Sequence, residues 1–202
     1  MQKSFNYYRN KRIAVSGASG FIGSYLLNEL SKHSDTVFGL SRKKIKIKKF
    51  KIIKINLNKE KDLIKIVKKF DIFFHFAADT NLERAEKDPN QNFISNVMPI
   101  INLIKYSTKL KKKIKIVFAS TGTIYGLNKK KNISEKDIPF PITVYDKHKL
   151  LVEKILKTNT KFNLIDSVSL RIQSVYGKSL SESKEKTRGV LNKIIKKSLK
   201  GK

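Results

Sequence analysis

The chain contains no cysteine and no tryptophan, only four prolines and two methionines, and few acidic groups. Without cysteine there is no thiol nucleophile, no zinc–thiolate cluster and no disulfide framework, so stability must come from a packed core. At 202 residues one core suffices, since a domain of about this size buries roughly 70% of the surface its unfolded chain exposes. No apolar run approaches the ~18 residues that span a bilayer. The opening MQKSFNYYRNKRIAVSG has neither the apolar stretch nor the cleavage site of a secretory signal. His33, His75 and His148 lack metal-ligand spacing, and no Asp or Glu cluster completes a set, so no metal site is expected. A single domain over residues 1–202, cytoplasmic and away from membranes, is the expectation.

What is abundant is positive charge: 45 Lys plus Arg against 16 Asp plus Glu, a formal +29. Such a balance raises nucleic acid or an anionic membrane as partner, because phosphate neutralisation dominates affinity for both. The excess is almost all lysine, 39 residues against six arginines, and Lys, Ile and Asn together make 79 of the 202. That is the imprint of AT-rich codons, which would not concentrate Arg, the residue favoured for bidentate phosphate or guanine contact. A solvated basic surface is therefore expected, with no nucleic-acid partner. The field can still steer an anionic cofactor or substrate, an effect that salt weakens.

Apolar segments of strand length alternate with stretches of helical period, the signature of a parallel sheet covered by helices. The strand candidates are 12–16, 36–41, 51–55, 72–76, 114–119 and 164–172. Leu63, Ile66, Val67 and Phe70 fall at i, i+3, i+4 and i+7 on one helical stripe, and further helices are expected over 21–32, 90–110, 144–158 and 189–199. Lysine and isoleucine partly alternate through SRKKIKIKKFKIIK, residues 41–54, read as a loop entering the third strand. No internal repeat indicates a solenoid. The fold class is α/β, a doubly wound parallel sheet.

GASGFIG, residues 17–23, follows the strand RIAVS and opens the helical pattern FIGSYLLNEL. Strand, glycine turn and helix come in the order phosphate binding requires: glycine allows positive φ and close backbone approach, and the helix start offers unpaired N–H groups. Three of the nine glycines lie in these seven residues; the alternative is a turn that merely joins strand to helix. Tyr145 and Lys149 are spaced to share one face of a helix. The same spacing occurs at Tyr7 with Lys11 and Tyr125 with Lys129, but only Tyr145 has a Pro-rich approach, an amphipathic helix behind it and a Ser/Thr-rich strand end upstream.

The glycine spacing is GxxGxxG, and here the sequence resembles the extended short-chain dehydrogenase/reductases, the NAD-dependent epimerase/dehydratase family that modifies nucleotide sugars. Further along, DIFFHFAA (71–78), Asn96–Val97, STGTIYG (120–126), PFPITVYDKHKLLVEK with Tyr145, Lys149 and Glu153, and LRIQSVYG are similar, in order, to that family's segments. The resemblance implies a Rossmann fold binding NADP or NAD. The cofactor-binding set it implies is Gly17, Ser19, Gly20, Phe21, Ile22, Gly23, Arg42, Asn56, Leu57, Ala77, Ala78 and Asn96, with Tyr145 and Lys149. At the end of the second strand an acidic residue would bind the adenosine ribose diol of NAD. Ser41 and Arg42 stand there instead, which favours NADP through the 2′-phosphate unless Arg42 is only a surface residue. Asn56 replaces the usual Asp against the adenine, and Ala77 and Ala78 suit a backbone passing close to the cofactor.

The resemblance makes Thr121, Tyr145 and Lys149 catalytic in hydride transfer at a sugar carbon, with Tyr145 as general base or acid. An unperturbed phenol titrates near pH 10, so Lys149 is expected to favour its ionised form. The substrate partner is a nucleotide-activated sugar. Gly122 and Thr123 stand where 4,6-dehydratases carry an Asp-Glu pair, which disfavours a dehydratase and leaves epimerase and keto-sugar reductase open. Ser174 and Lys178 depart from an Asn-x-Tyr-Gly-Pro pattern near the substrate diphosphate. Relatives run longer, so the C-terminal substrate-binding portion is expected to be largely missing. The stripe Val190, Leu191, Ile194, Ile195 and Leu199 packs on the sheet, packs on another subunit in a homodimer, or marks a fragment. The alternative function is NAD(P) binding without turnover.

Overall fold

The computed structural model describes residues 6–42, 50–128, 130, 132–177, 194–195 and 197–199. Six strands, β1 (Ile13–Ser16), β2 (Val37–Ser41), β3 (Ile52–Lys54), β4 (Ile72–His75), β5 (Lys115–Thr121) and β6 (Asp166–Ile172), form one sheet in the order β3-β2-β1-β4-β5-β6. Every pairing is parallel. The chain crosses from one side of β1 to the other between β3 and β4, which opens a crevice at the carboxyl ends of β1 and β4, the place where doubly wound sheets bind ligands.

Alternation along the strands sends their side chains to two cores. On one face Ala14, Leu40, Phe73, Ile116 and Phe118 pack under α2 (Glu60–Lys69), α5 (Met98–Lys109) and α6 (Val144–Lys161), which contribute Leu63, Ile66, Leu103, Val152 and Leu156. On the other, Ile13, Val15, Val37, Ile72 and Phe74 pack with Leu27 and Leu30 of α1 (Phe21–Leu30).

The expected single helix over 90–110 is two, α4 (Pro89–Asn96) and α5, preceded by a short α3 (Leu82–Lys87) that periodicity does not reveal. Pro99 explains the break, because it has no N–H to continue the ladder and its ring disfavours helical backbone just before it. Each new start is capped or pre-set: Asn81 accepts from the Arg84 N–H at 2.9 Å, Asp88 from the Gln91 N–H at 2.9 Å, and Pro89 opens α4. Residues 43–49 of the expected loop, most of the stretch 189–199, and Lys129, Lys178, Val190 and Leu191 lie outside the described residues, while Ile194, Ile195 and Leu199 are exposed. Among the described residues no helix is long and apolar enough to cross a membrane, and no cluster of three or more His, Asp or Glu is placed to hold a metal.

Candidate functional site

β1 ends at Ser16, and Gly17 follows at φ +70°. A Cβ on Gly17 would stand 2.7 Å from the Phe76 carbonyl carbon and oxygen and 2.8 Å from the Ala77 nitrogen, so the turn runs directly against the backbone leaving β4. A Cβ on Gly23 would lie 2.3 Å from the Gly17 oxygen, which presses the first turn of α1 onto the end of β1. The Gly20 N–H donates to the Gly17 carbonyl at 2.8 Å, and Gly20 caps α1 with no side-chain hydrogen bond. Ala18 turns inward to the core, Ser19 and Gly20 are exposed, and Phe21 and Ile22 are half-buried. The glycines let the turn and the helix start pack tightly on the backbone of β1 and β4, which leaves a helix N-terminus without a side-chain cap at the crevice, and a pyrophosphate fits such a place.

Beneath the turn lies a hub absent from the sequence reading. Ser16 and His75 are register partners on β1 and β4, and Ser16 Oγ lies 2.9 Å from His75 Nδ1. The same oxygen accepts the Phe76 and Ala77 N–H groups, each at 3.2 Å. The Ser16 hydroxyl also lies 3.5 Å from the Phe74 carbonyl, a second acceptor for its one proton. His75 is stacked against Phe73 and Phe118, and its Nε2 is buried with no hydrogen-bond partner. Burial first, then Lys149, brings its pKa down to about 3.

Thr143 opens α6, its hydroxyl accepting the Asp146 N–H at 3.1 Å. This cap sets Tyr145 and Lys149 one turn apart over the end of β5. Lys149 Nζ is buried, donates to the Ala119 carbonyl at 2.7 Å, and lies 5.5 Å from the centre of the Tyr145 ring. Burial brings the Lys149 pKa down to about 7. Tyr145 is pushed up to about 12, by burial first and the neighbouring Asp146 second. This differs from the expectation that Lys149 would favour the phenolate: with its nitrogen drawn to a backbone carbonyl and its charge weakened by burial, Lys149 leaves the phenol neutral.

Thr121 ends β5 and caps the 3₁₀ turn Gly122–Tyr125. Its Oγ1 accepts the Thr123 N–H at 3.2 Å and lies 2.8 Å from Thr123 Oγ1. The Thr123 hydroxyl donates to Asp146 Oδ1 at 2.5 Å, and the Thr143 hydroxyl to Oδ2 at 2.7 Å. Asp146 is buried and was not singled out from sequence, although Thr143-x-x-Asp146 has the capping-box spacing that could have found it. Gly122 admits the Gln173 side chain, whose amide nitrogen would stand 1.9 Å from a Cβ there.

Glu153 accepts the Ser120 hydroxyl at 2.5 Å and the Arg171 guanidinium at 2.8 Å, and Arg171 also donates to the Tyr125 hydroxyl. This ties β5, α6 and β6 together, and the bond to Glu153 is the main cause raising the Arg171 pKa. Asn96 is buried with its side chain committed to the loop after β4: Oδ1 accepts the Asp79 N–H at 2.8 Å and Nδ2 donates to the Asp79 carbonyl at 3.0 Å. It also reaches Asn92, which lies 2.8 Å from His148 Nδ1. Ala77 and Ala78 are half-buried beside the glycine turn. Arg42 is exposed just beyond β2. Asn56 Oδ1 accepts the Asn58 N–H at 3.0 Å, and the Leu57 side chain belongs to the core.

The model of one protein family, described as NAD dependent epimerase/dehydratase family, matches residues 13–202. A UDP-glucose 4-epimerase of Mycoplasma genitalium is 30% identical over 181 residues, covering 82% of this chain and 53% of that protein. The solved UDP-N-acetylglucosamine 4-epimerase of Methanobrevibacter ruminantium, in complex with UDP-N-acetylmuramic acid, superposes with a TM-score of 0.82 at 26% identity over 96% of this chain and 64% of its own. MoeE5 in complex with UDP-glucose and NAD superposes with a TM-score of 0.79 at 25% identity, over 94% and 62%. This chain spans about half the length of the curated relatives it matches. With a match over nearly all its residues and a parallel sheet in the Rossmann order, the chain belongs to the NAD-dependent epimerase/dehydratase family.

Proposed function

We propose that this chain provides the cofactor-binding and proton-transfer half of an enzyme that oxidises and reduces a nucleotide-activated sugar, a UDP-sugar 4-epimerase or a keto-sugar reductase, in the cytoplasm. The observation that carries the reading is the buried Lys149 ammonium site between the Ala119 carbonyl and the Tyr145 ring, at the sheet edge that also carries the bare glycine turn. Gly17 to Gly23 would hold the diphosphate, and Ala77 and Ala78 would line its path. Bound NAD or NADP would supply the hydride acceptor and a positively charged ring.

The rest is the work of this chain's residues. Tyr145 takes or returns the sugar hydroxyl proton, and Thr121 meets the reacting oxygen. Burial keeps the proton on the phenol, since Tyr145 stands at about 12 and Lys149 at about 7. Moving it to the amine is uphill by roughly 7 kcal/mol at about 1.36 kcal/mol per pH unit. Attraction between the resulting ions, about 4 kcal/mol at ~4 Å and an effective dielectric constant of ~20, offsets about half of that. A turn of Lys149 from the Ala119 carbonyl towards Tyr145 would lower the remaining cost. Arg42 favours NADP, while the family and its NAD-bound neighbour favour NAD.

A second reading, cofactor binding without turnover, is favoured by the bond that holds Lys149 on the Ala119 carbonyl. Titration with NADH and NADPH, followed by UDP-sugar-dependent absorbance change of the cofactor, separates the two. The proposed enzyme binds one cofactor saturably and turns over, and Tyr145→Phe loses about 10²-fold or more in kcat. Binding without turnover selects the second reading. No binding of either cofactor refutes both, and a Tyr145→Phe variant with full activity removes Tyr145 from the chemistry.

A further inference from the structure

His148 stands on α6 between Tyr145 and Lys149, and its side chain turns to α4. The ring packs edge-on against Phe93, with centroids 5.5 Å apart, and Nδ1 lies 2.8 Å from Asn92 Oδ1. The donor in that contact follows from the backbone. The Asp79 N–H donates to Asn96 Oδ1 at 2.8 Å, which fixes the Asn96 amide with its nitrogen towards the Asp79 carbonyl, 3.0 Å away. The other Nδ2 proton of Asn96 goes to Asn92 Oδ1 at 3.0 Å, and Asn92 Nδ2 faces the Asp79 carbonyl at 3.5 Å. Asn92 Oδ1 is therefore an acceptor, and His148 Nδ1 must donate to it. Asn92 and Asn96 are both buried, so a bond lost here leaves an unpaired polar group behind.

This series of bonds runs from α6 through α4 to Asp79, in the loop that leaves β4 just after Ala77 and Ala78. A second bond joins the same region to α6, since Glu86 of α3 accepts the Val144 N–H at 2.7 Å. With the helix held at Val144 and again one turn on at His148, its roll about its own axis is set. Lys149 is the next residue, about 100° further round the helix, and it reaches the Ala119 carbonyl on β5. We propose, resting on the functional reading above, that His148 is a positioning residue: through Asn92 and Asn96 it fixes the roll of α6 against the loop after β4, so that Tyr145 and Lys149 hold their station beside the path of the cofactor. The cofactor-side loop and the proton-transfer helix then move as one unit.

Substitutions in the full chain test this. His148→Phe keeps a ring against Phe93 and removes the donor, whereas His148→Asn puts an amide N–H where Nδ1 stood and restores it. His148→Phe is expected to lower kcat for sugar-dependent cofactor reduction about tenfold, with cofactor affinity changed less than about threefold because Asn96 still holds Asp79. His148→Asn is expected to recover most of the loss. Asn92→Leu combined with His148→Phe is expected to be no worse than Asn92→Leu alone, since both remove the same bond. Wild-type kcat in His148→Phe, no recovery in His148→Asn, or losses that multiply in the double variant overturn the proposal. ¹⁵N NMR of the wild type, at a pH well above the ordinary histidine pKa, gives a reading that needs neither turnover nor a variant that folds. Neutral His148 is expected to carry its proton on Nδ1, and a proton on Nε2 overturns the proposal. An Nδ1 proton in a wild type that binds cofactor without turnover supports the tie between α6 and the loop and defeats only the functional reading.

Discussion

Lys149 offers the sharpest physical test, because it is a buried cation whose nearest polar partner is a neutral carbonyl. Its pKa is about 7 in the folded chain against 10.5 for a free lysine. Between these values the unfolded chain binds more protons than the folded one, so stability rises with pH across that interval. Below about pH 7 both states are protonated and the burial penalty is present in full; above about pH 10.5 both are neutral and it is gone. At pH 7 the unfolded lysine is charged and the folded one half so, which at 1.36 kcal/mol per unit places the penalty near 4 kcal/mol. Replacing Lys149 by Met removes the titration and keeps an unbranched apolar chain. It also loses the bond to Ala119, worth about 1 kcal/mol and independent of pH over most of the range. The expected result is a Lys149→Met variant about 3 kcal/mol more stable near neutrality, an advantage that shrinks and then reverses as pH approaches about 10. Urea denaturation of both proteins from about pH 6 to about pH 10 measures it, and the other lysines cancel in the difference. A stability difference that stays flat with pH would refute the reasoning, since it would mean that Lys149 keeps an ordinary pKa in the fold. A gain in stability alongside lost chemistry is the mark of a residue placed for function.

Gly17→Ala is expected to weaken cofactor binding at least tenfold and to cost roughly 2 kcal/mol or more, from the left-handed backbone and the 2.7 Å approach to Phe76; thermal denaturation and NADH titration check it, and an unaffected variant would mean the turn relaxes freely. His75 is expected to stay neutral down to about pH 4 by ¹⁵N NMR, given a pKa brought down to about 3. Because its folded pKa lies below the unfolded 6.5, the contribution to stability is present above about pH 6.5 and is lost as pH falls towards about 3.

Much of the fold was legible without coordinates, because it rests on short-range signals. Each of the six strands lies where an apolar run of strand length predicts it, with ends shifted by a few residues. The stripe through Leu63, Ile66 and Val67 became the buried face of α2. The glycine turn and the Tyr145–Lys149 spacing were readable for the same reason, since each lies within one strand–turn–helix unit or one helical turn. The interruption at Val97 was written locally too, in Pro99, but a continuous apolar period through 90–110 concealed it.

The protonation states, in contrast, were decided by residues brought together from far apart. Ser16 meets His75 only because β1 and β4 pair in that register. Thr123 meets Asp146 only because α6 docks its first turn on the end of β5. Lys149 was expected to charge Tyr145, but packing buried its ammonium against the Ala119 carbonyl and left the phenol neutral. Sequence spacing sets which groups can share a face. Desolvation and the allocation of single protons among hydroxyls depend on what surrounds that face in three dimensions.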